Sequence, residues 1–297
     1  MTLVSYLKLL TFTFLLLFAS TGYAASKQIS WAGCGITKKA FMEELAKGYE
    51  KKTGVKVNLS GGGATKGIRN AVNGTIDIGG ACRVSLEKHP EERSAYQIPV
   101  AWDALAVIVH KDNPVSSISF GQLQGVYLGK ITNWKELGGN NAKIELYVRR
   151  GKLSGVGRTL RELVFANFNQ EFPAATYVEK SSGPLEKGIE KNLSGFGTTG
   201  ISSAKKRDVK ILQLEGKAPS YDNIKQGQYL LYRPLYLVTQ GYKSSPEVRK
   251  FISYALSREG MAIIRKAGTV PYADAIGLVM KQVEQAERAS KRGLYQK

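Results

Sequence analysis

Three short segments carry residue types that can hold an anion. They are Gly33-Cys34-Gly35-Ile36-Thr37, Ser60-Gly61-Gly62-Gly63-Ala64-Thr65 and Arg150-Gly151-Lys152-Leu153-Ser154-Gly155-Val156-Gly157. Each is rich in glycine or serine and stands between a strand pattern and a helix pattern. The first backbone N–H groups of a helix have no partner within the helix and sit at the positive end of its dipole. Glycine lets an anion approach those groups closely. One such loop reads equally well as a tight turn, but three in one chain, with Arg83 and Arg150 nearby, point to an oxyanion site that needs no metal. None ends in the Lys-Ser/Thr pair of a nucleotide phosphate loop. The only histidines are His89 and His110, neither in a glycine loop, which argues against His-based metal catalysis or a Ser/His nucleophile.

The elements that must position these loops follow from hydrophobic spacing. A strand over 28–33 precedes a helix marked by Phe41, Leu45 and Tyr49 and closed by Gly54. A strand over 55–59 leads to a helix marked by Ile68, Ala71 and Val72, then to a strand over 76–80. This βαβαβ unit predicts a parallel sheet with right-handed crossovers, whose loops lie at the carboxyl ends of the strands. Further strands are predicted over 105–110, 144–148, 176–178 and 235–239, and helices over 248–256 and 261–266. A C-terminal helix with a basic end is predicted from Asp274 onward. Asp77 reads as a structural acid within its strand, and Lys38 and Lys66 begin helices beside two of the loops.

The first 24 residues read as a secretory signal peptide. An apolar run over 9–18 follows Lys8 and ends in small residues, with Gly22 and Ala24 at the −3 and −1 positions of a cut after Ala24. The competing reading is an uncleaved anchor, although a spanning helix needs about 20 apolar residues. The chain is strongly basic, with 43 Lys and Arg against 24 Asp and Glu and a net charge of +19. That excess suits nucleic acid, an anionic membrane surface, a small anionic ligand or simply a solvated basic surface, and export lowers the first of these. Hydrophobic residues at 43% exclude disorder as the main state. Two cysteines are too few for a disulfide scaffold and show no zinc spacing.

Several segments carry a resemblance. The most specific is Gly129-Lys130-Ile131-Thr132-Asn133-Trp134-Lys135-Glu136-Leu137-Gly138-Gly139. Others are Thr53-Gly54-Val55-Lys56-Val57, Thr75-Ile76-Asp77-Ile78-Gly79, Tyr229-Leu230-Leu231-Tyr232-Arg233-Pro234-Leu235-Tyr236 and Leu256-Ser257-Arg258-Glu259-Gly260 with Gly268-Thr269-Val270-Pro271. From about residue 29 to residue 272 the chain resembles the phosphate-binding proteins of bacterial phosphate ABC transporters, within the type II periplasmic-binding-protein fold. The resemblance implies an α/β fold of two lobes with a ligand cleft between them. Residues 25–106 and 232–297 would form the first lobe and 107–231 the second. It implies a monomer that captures phosphate or a related oxyanion in the periplasm for a membrane ABC permease, with no cofactor, no nucleic acid and no enzymatic activity.

The resemblance also implies a ligand set: Thr37 in the first loop, Ala64 and Thr65 in the second, Cys82 and Arg83 after the third strand, and Arg150, Ser154 and Gly155 in the last. Ala64 and Val156 stand where the family has hydroxyl residues, and Cys82 where it has an acid or a serine. A protonated oxyanion needs an acceptor as well as donors, so a sensor or other non-transport binder with a degenerate anion site remains the alternative. Trp134 reads as a packing residue, and Arg233 as a hinge residue or a surface pair. Cys34 and Cys82 follow strands expected to be neighbours, and an oxidising compartment permits a bond, so a Cys34–Cys82 disulfide at the rim of the cleft is predicted. Two free thiols and a redox-active pair are the rival readings.

Overall fold

The computed structural model describes residues 28–291; the signal peptide predicted over 1–24 lies outside the described residues. Strand β1 (Gln28–Gly33) is flanked in parallel by β2 (Lys56–Gly61) and β3 (Ile78–Ala81). The crossover α1 is one helical run made of Gly35–Thr37, a π-type stretch Lys38–Met42 and Glu43–Thr53. Phe41, Leu45 and Tyr49 are buried in the core, as their spacing requires. The second crossover is α2 (Gly63–Val72). Strand β3 starts two residues later than its pattern suggests. Asp77 serves instead as a staple, accepting hydrogen bonds from the N–H and hydroxyl of Ser30 at 2.7 and 2.6 Å.

The longest strand is β4 (Tyr96–His110), of which the sequence pattern showed only the second half. Pro99 and an unbroken buried run from Val100 to Val109 hide the first half, because a strand covered on both faces has no alternation to read. Two short strands, β5 (Ser117–Ile118) and β10 (Gln213–Leu214), pair with each other. Strands β6 (Glu145–Arg149), β7 (Ala175–Glu179), β8 (Gly195–Gly200) and β9 (Val209–Ile211) belong to the middle of the chain. Strands β11 (Tyr232–Thr239) and β12 (Val270–Pro271) belong to its end. The main order is β2-β1-β3-β11-β4-β8-β6-β7.

Strand β4 changes partner along its length. Tyr96 to Ala104 pair antiparallel with β11, whereas Leu105 to Val109 pair antiparallel with β8. The chain returns at the same level, where the Leu105 N–H donates to the Leu231 carbonyl at 2.8 Å. Each half of the sheet thus has its own helices. The remaining helices are α3 (Phe120–Tyr127), α4 (Gly155–Phe165), α5 (Ser182–Glu190), α6 (Ile201–Ala204), α7 (Tyr221–Lys225), α8 (Pro246–Leu256), α9 (Arg258–Lys266) and α10 (Gly277–Lys291). Together they form a two-lobe α/β fold. Trp134 is buried and its indole N–H donates to the Ser194 carbonyl at 3.1 Å. Arg233 is not a surface residue: it is buried on β11 with its guanidinium 3.3 Å from Asp103 on β4, where the two strands run between the lobes. A buried pair of this kind is costly to break by removing one partner.

Candidate functional site

A cavity of about 540 Å³ opens between the lobes, within the range of small-molecule sites. Four helix N-termini face it: α1 through Gly35, α2 through residues 61–64, α4 through residues 154–156 and α5 through residues 181–183. Three of these helices lack a side-chain cap. Their N-cap residues are Cys34, Gly62 and Ser181, and none accepts a hydrogen bond from the first turn. Of the helices that begin elsewhere, α6 also starts without a side-chain cap, at Gly200, but four are finished differently. Ser119, Ser220, Ser245 and Ser257 each cap their helix by accepting from a backbone N–H. The free N–H groups are thus concentrated where a ligand can reach them. At the start of α2, Gly62 (φ 148°) and Gly63 (φ 82°) adopt a backbone path that residues with a Cβ rarely take.

Four cationic side chains line the same cavity: Lys39, Arg149, Lys180 and Arg207. Arg149 donates to the Ser182 hydroxyl at 2.9 Å and to the Lys180 carbonyl at 2.9 Å. It forms no ion pair among the described residues, and burial lowers its guanidinium from the ordinary value. Burial likewise lowers the Lys39 ammonium, with Glu186 only partly offsetting it. Glu186 is fully buried behind the cavity. It accepts from Thr199 Oγ1 at 2.6 Å and from Arg207 Nε at 2.9 Å, and lies 3.7 Å from Lys39 Nζ. Among the described residues, no carboxylate lines the cavity. Arg207 and Lys39 share the Glu186 charge, whereas Arg149 loses water without gaining a counter-charge and is the group an incoming anion would stabilise most.

Of the residues named from sequence, Ala64, Thr65, Ser154 and Gly155 line the cavity. Ser154 also caps α4, accepting from the Gly157 N–H at 3.2 Å. Thr65 donates to the Leu153 carbonyl at 3.0 Å, a contact between the lobes. The other four lie outside the lining. Thr37 is fully buried and donates to the Ala81 carbonyl at 3.2 Å. Arg83 is held by Glu92 at 2.7 Å and donates through Nε to the Leu153 carbonyl at 2.9 Å, so it ties one lobe to the other. Arg150 is exposed, and only its backbone N–H is engaged, by the Glu179 carbonyl. The arginine in the cavity is Arg149, one position earlier, because consecutive side chains of an extended chain point to opposite faces.

Cys82 lies behind the cavity, whereas Cys34 lines it. Both cysteines are buried and free, with their Sγ atoms 2.6 Å apart. The hydrogen bond to Cys82 pulls the Cys34 thiol down to about 6, burial opposes this and the Arg233 charge adds to it. The Cys82 thiol is pushed up by that same hydrogen bond and by burial.

Sequence reasoning missed Lys39, Arg149, Lys180, Arg207, Ser203 and the loop Ser181-Ser182-Gly183. That loop repeats the signal of the other three, serine and glycine between a strand and a helix, but the following helix was not recognised. Lys39 falls in the π-type stretch of α1, and the neighbouring Lys38 had been singled out instead. Lys66 is exposed and does not line the cavity.

A family model described as the PBP superfamily domain matches residues 20–259. The phosphate-binding protein PstS of Borreliella burgdorferi is 25% identical over 252 residues, covering 82% of this chain and 90% of that protein. A Clostridium perfringens protein solved with bound phosphate superposes with a TM-score of 0.74 at 28% identity, covering 82% of this chain and 99% of that one. An ABC-type phosphate transport receptor from Vibrio cholerae gives a TM-score of 0.64, also at 28% identity, covering 82% of this chain and all of the other. With its two lobes, its interlobe cavity and a match over most of its length, the chain belongs to the PBP superfamily and has the type II periplasmic-binding-protein fold.

Proposed function

We propose that this chain is an exported solute-binding protein that captures phosphate and hands it to the membrane permease of an ABC transporter. The observation that carries this reading is the coincidence of uncapped helix N-termini with an unpaired, desolvated Arg149 around one cavity. Backbone N–H groups and a guanidinium are preorganised donors to a tetrahedral oxyanion, and charge-assisted bonds of this type are strong. The family membership and the phosphate-bound relative support the choice of phosphate among such anions.

The lobes are assigned as residues 25–106 with 232–297, and residues 107–231. The change of partner along β4 at Ala104 and Leu105 supports a crossing close to that boundary. The ligand set is assigned to the N–H groups of the four loops, to Arg149 and Lys39, and to the hydroxyls of Ser154 and Ser182. Arg83 and Thr65 hold the two lobes together through Leu153. In this reading the leader over 1–24 directs export, and the mature protein acts in the periplasm as a monomer.

Isothermal calorimetry of the purified mature protein with inorganic phosphate tests the reading, together with mass spectrometry of anions that co-purify. Saturable one-to-one binding of phosphate is expected. Absence of phosphate binding with sulfate and nitrate equally inert would refute an oxyanion receptor.

A further inference from the structure

We propose that Cys34 and Cys82 form a redox-controlled floor to the anion site, so that closing the disulfide raises the affinity of the cleft for phosphate. This inference rests on the cavity being an anion site, and it adds a regulatory input to that site. The two sulfurs lie 2.6 Å apart, within reach of bond formation, and only Cys34 meets the cavity. Cys34 is also the N-cap residue of α1, where the helix dipole favours negative charge. Its sulfur therefore occupies ground that the anion itself would use.

The pair is coupled to the ligand loops in two ways. The first is charge. The groups facing Cys34 are Cys82, Arg233 with its partner Asp103, and Arg149, with Lys39 further along the cavity wall. The hydrogen bond from Cys82 draws the Cys34 thiol down to about 6, which favours its thiolate while the pair is reduced. A thiolate beside the anion repels it and competes for Arg149 and for the α1 N-terminus. Oxidation removes that charge. The second coupling is steric. Gly155, at the start of α4, sits against Cys82 so closely that a Cβ there would run into its sulfur and into Ala64. Thr159 of the same helix donates to the Cys82 carbonyl at 3.3 Å. A shift of the Cys82 sulfur on bond formation is thus felt by the helix start that faces the ligand from the opposite lobe.

The chemistry is thiol–disulfide exchange with an external disulfide. The Cys34 thiolate attacks one sulfur of that disulfide and its other half leaves as a thiolate. The Cys82 sulfur, losing its proton, then attacks the Cys34 sulfur of the mixed disulfide and expels the second half. Starting from the Cys34 thiolate and the Cys82 thiol, the protein loses two electrons and one proton; the external disulfide leaves as one thiol and one thiolate, which takes its proton from solvent. Access is through the cavity, so bound anion and oxidant compete on the pathway. At equilibrium the coupling is reciprocal: whatever factor oxidation adds to phosphate affinity, phosphate adds to the stability of the disulfide.

The test uses the mature protein equilibrated with oxidised or reduced dithiothreitol, the latter removed anaerobically before titration. Thiol counting and intact mass define the state, and calorimetry with inorganic phosphate reads the affinity of each. The ratio of oxidised to reduced affinity cancels the titration of phosphate itself. At pH 8 we expect the oxidised form to bind about ten- to a hundred-fold more tightly, the scale of removing one like charge a few ångströms away at a partly screened site. At pH 5, where Cys34 is protonated in the reduced form, the ratio should fall to within about threefold. A Cys34→Ser/Cys82→Ala variant, checked for folding by circular dichroism, should bind phosphate with an affinity insensitive to either reagent. Failure of the thiols to close under oxidised dithiothreitol overturns the proposal. So do equal affinities of the two states at pH 8, or a large ratio that persists at pH 5. Equal but measurable affinities refute the redox coupling alone, whereas no phosphate binding in either state refutes the anion site as well.

Discussion

Replacing Arg149 by glutamine separates the two neighbouring arginines and tests the assignment of the cavity. The guanidinium of Arg149 spends its hydrogen bonds on Ser182 Oγ and on the carbonyls of Lys180 and Glu179, with no carboxylate among its partners. Its charge is therefore available to a ligand. Removing one member of a buried, hydrogen-bonded charge pair costs about 2–5 kcal/mol. Arg149 keeps part of its surface in water, so the lower half of that range applies. A loss of ~2–3 kcal/mol corresponds to roughly 30- to 150-fold weaker phosphate binding. Arg150→Gln should change affinity by less than about threefold, because an exposed charge outside the cavity acts only through a screened field. The two variants also differ in stability without ligand. Burial disfavours the charged form of Arg149, so its loss should leave the melting temperature of the free protein unchanged or higher. The stabilisation that phosphate confers should shrink. Calorimetry at 0.1 M and 1 M sodium chloride, with thermal denaturation in parallel, reads all of this, and the Arg149 penalty should persist at the higher salt. Unchanged affinity in Arg149→Gln, or an equal loss in Arg150→Gln, would refute the assignment.

Gly155→Ala should weaken phosphate binding and destabilise the fold by ~1–3 kcal/mol, since the new methyl meets the Cys82 sulfur and Ala64; a variant with the melting temperature and affinity of the parent would contradict the packing described. Burial raises the Glu92 carboxyl, but the Arg83 hydrogen bonds outweigh it and hold Glu92 below the ordinary range. Its contribution is present above the ordinary glutamate value near 4.3 and is lost as pH falls below that value. The stability gap between the parent and Glu92→Gln, measured by urea titration, should therefore be widest at neutral pH and narrow below about pH 4; a constant gap would count against the ion pair as its source. Domain closure about β4 and β11 predicts a smaller radius of gyration by small-angle scattering when phosphate is added, and superimposable profiles at saturation would argue against a moving clamp.

The sequence by itself determined the repeating strand–loop–helix units. Apolar spacing at Phe41, Leu45 and Tyr49 and the glycine stop at Gly54 are local signals, and local signals suffice to place α1 between β1 and β2. What brings Cys34 and Cys82 together is the order β2-β1-β3, in which the third strand adds beside the first; right-handed crossovers alone allow the order 1-2-3 as well, so that neighbourhood is set by the sheet and not by local signals. Other elements had no local signature. Strand β8 reads Gly-Phe-Gly-Thr-Thr-Gly, which looks like a loop, yet it is fully buried in the sheet. Gly197 leaves room for the Tyr147 backbone and Gly200 for Ile36 and Asp103, a demand set by partners far away in the chain. The first half of β4 was hidden in the same way by burial on both faces.

The site divides along the same line. Composition and loop pattern pointed to an anion held at helix starts, since the chemistry of glycine, serine and a free N–H is local. Which side chains reach the anion depends on parity and on packing between lobes. A single residue of strand register separates Arg149 in the cavity from Arg150 in solvent. Arg83 looked like a ligand from its place after β3, but Glu92 and the Leu153 carbonyl claim its guanidinium. Only the tertiary structure decides such contests, because each depends on where groups distant in sequence place a charge or an acceptor.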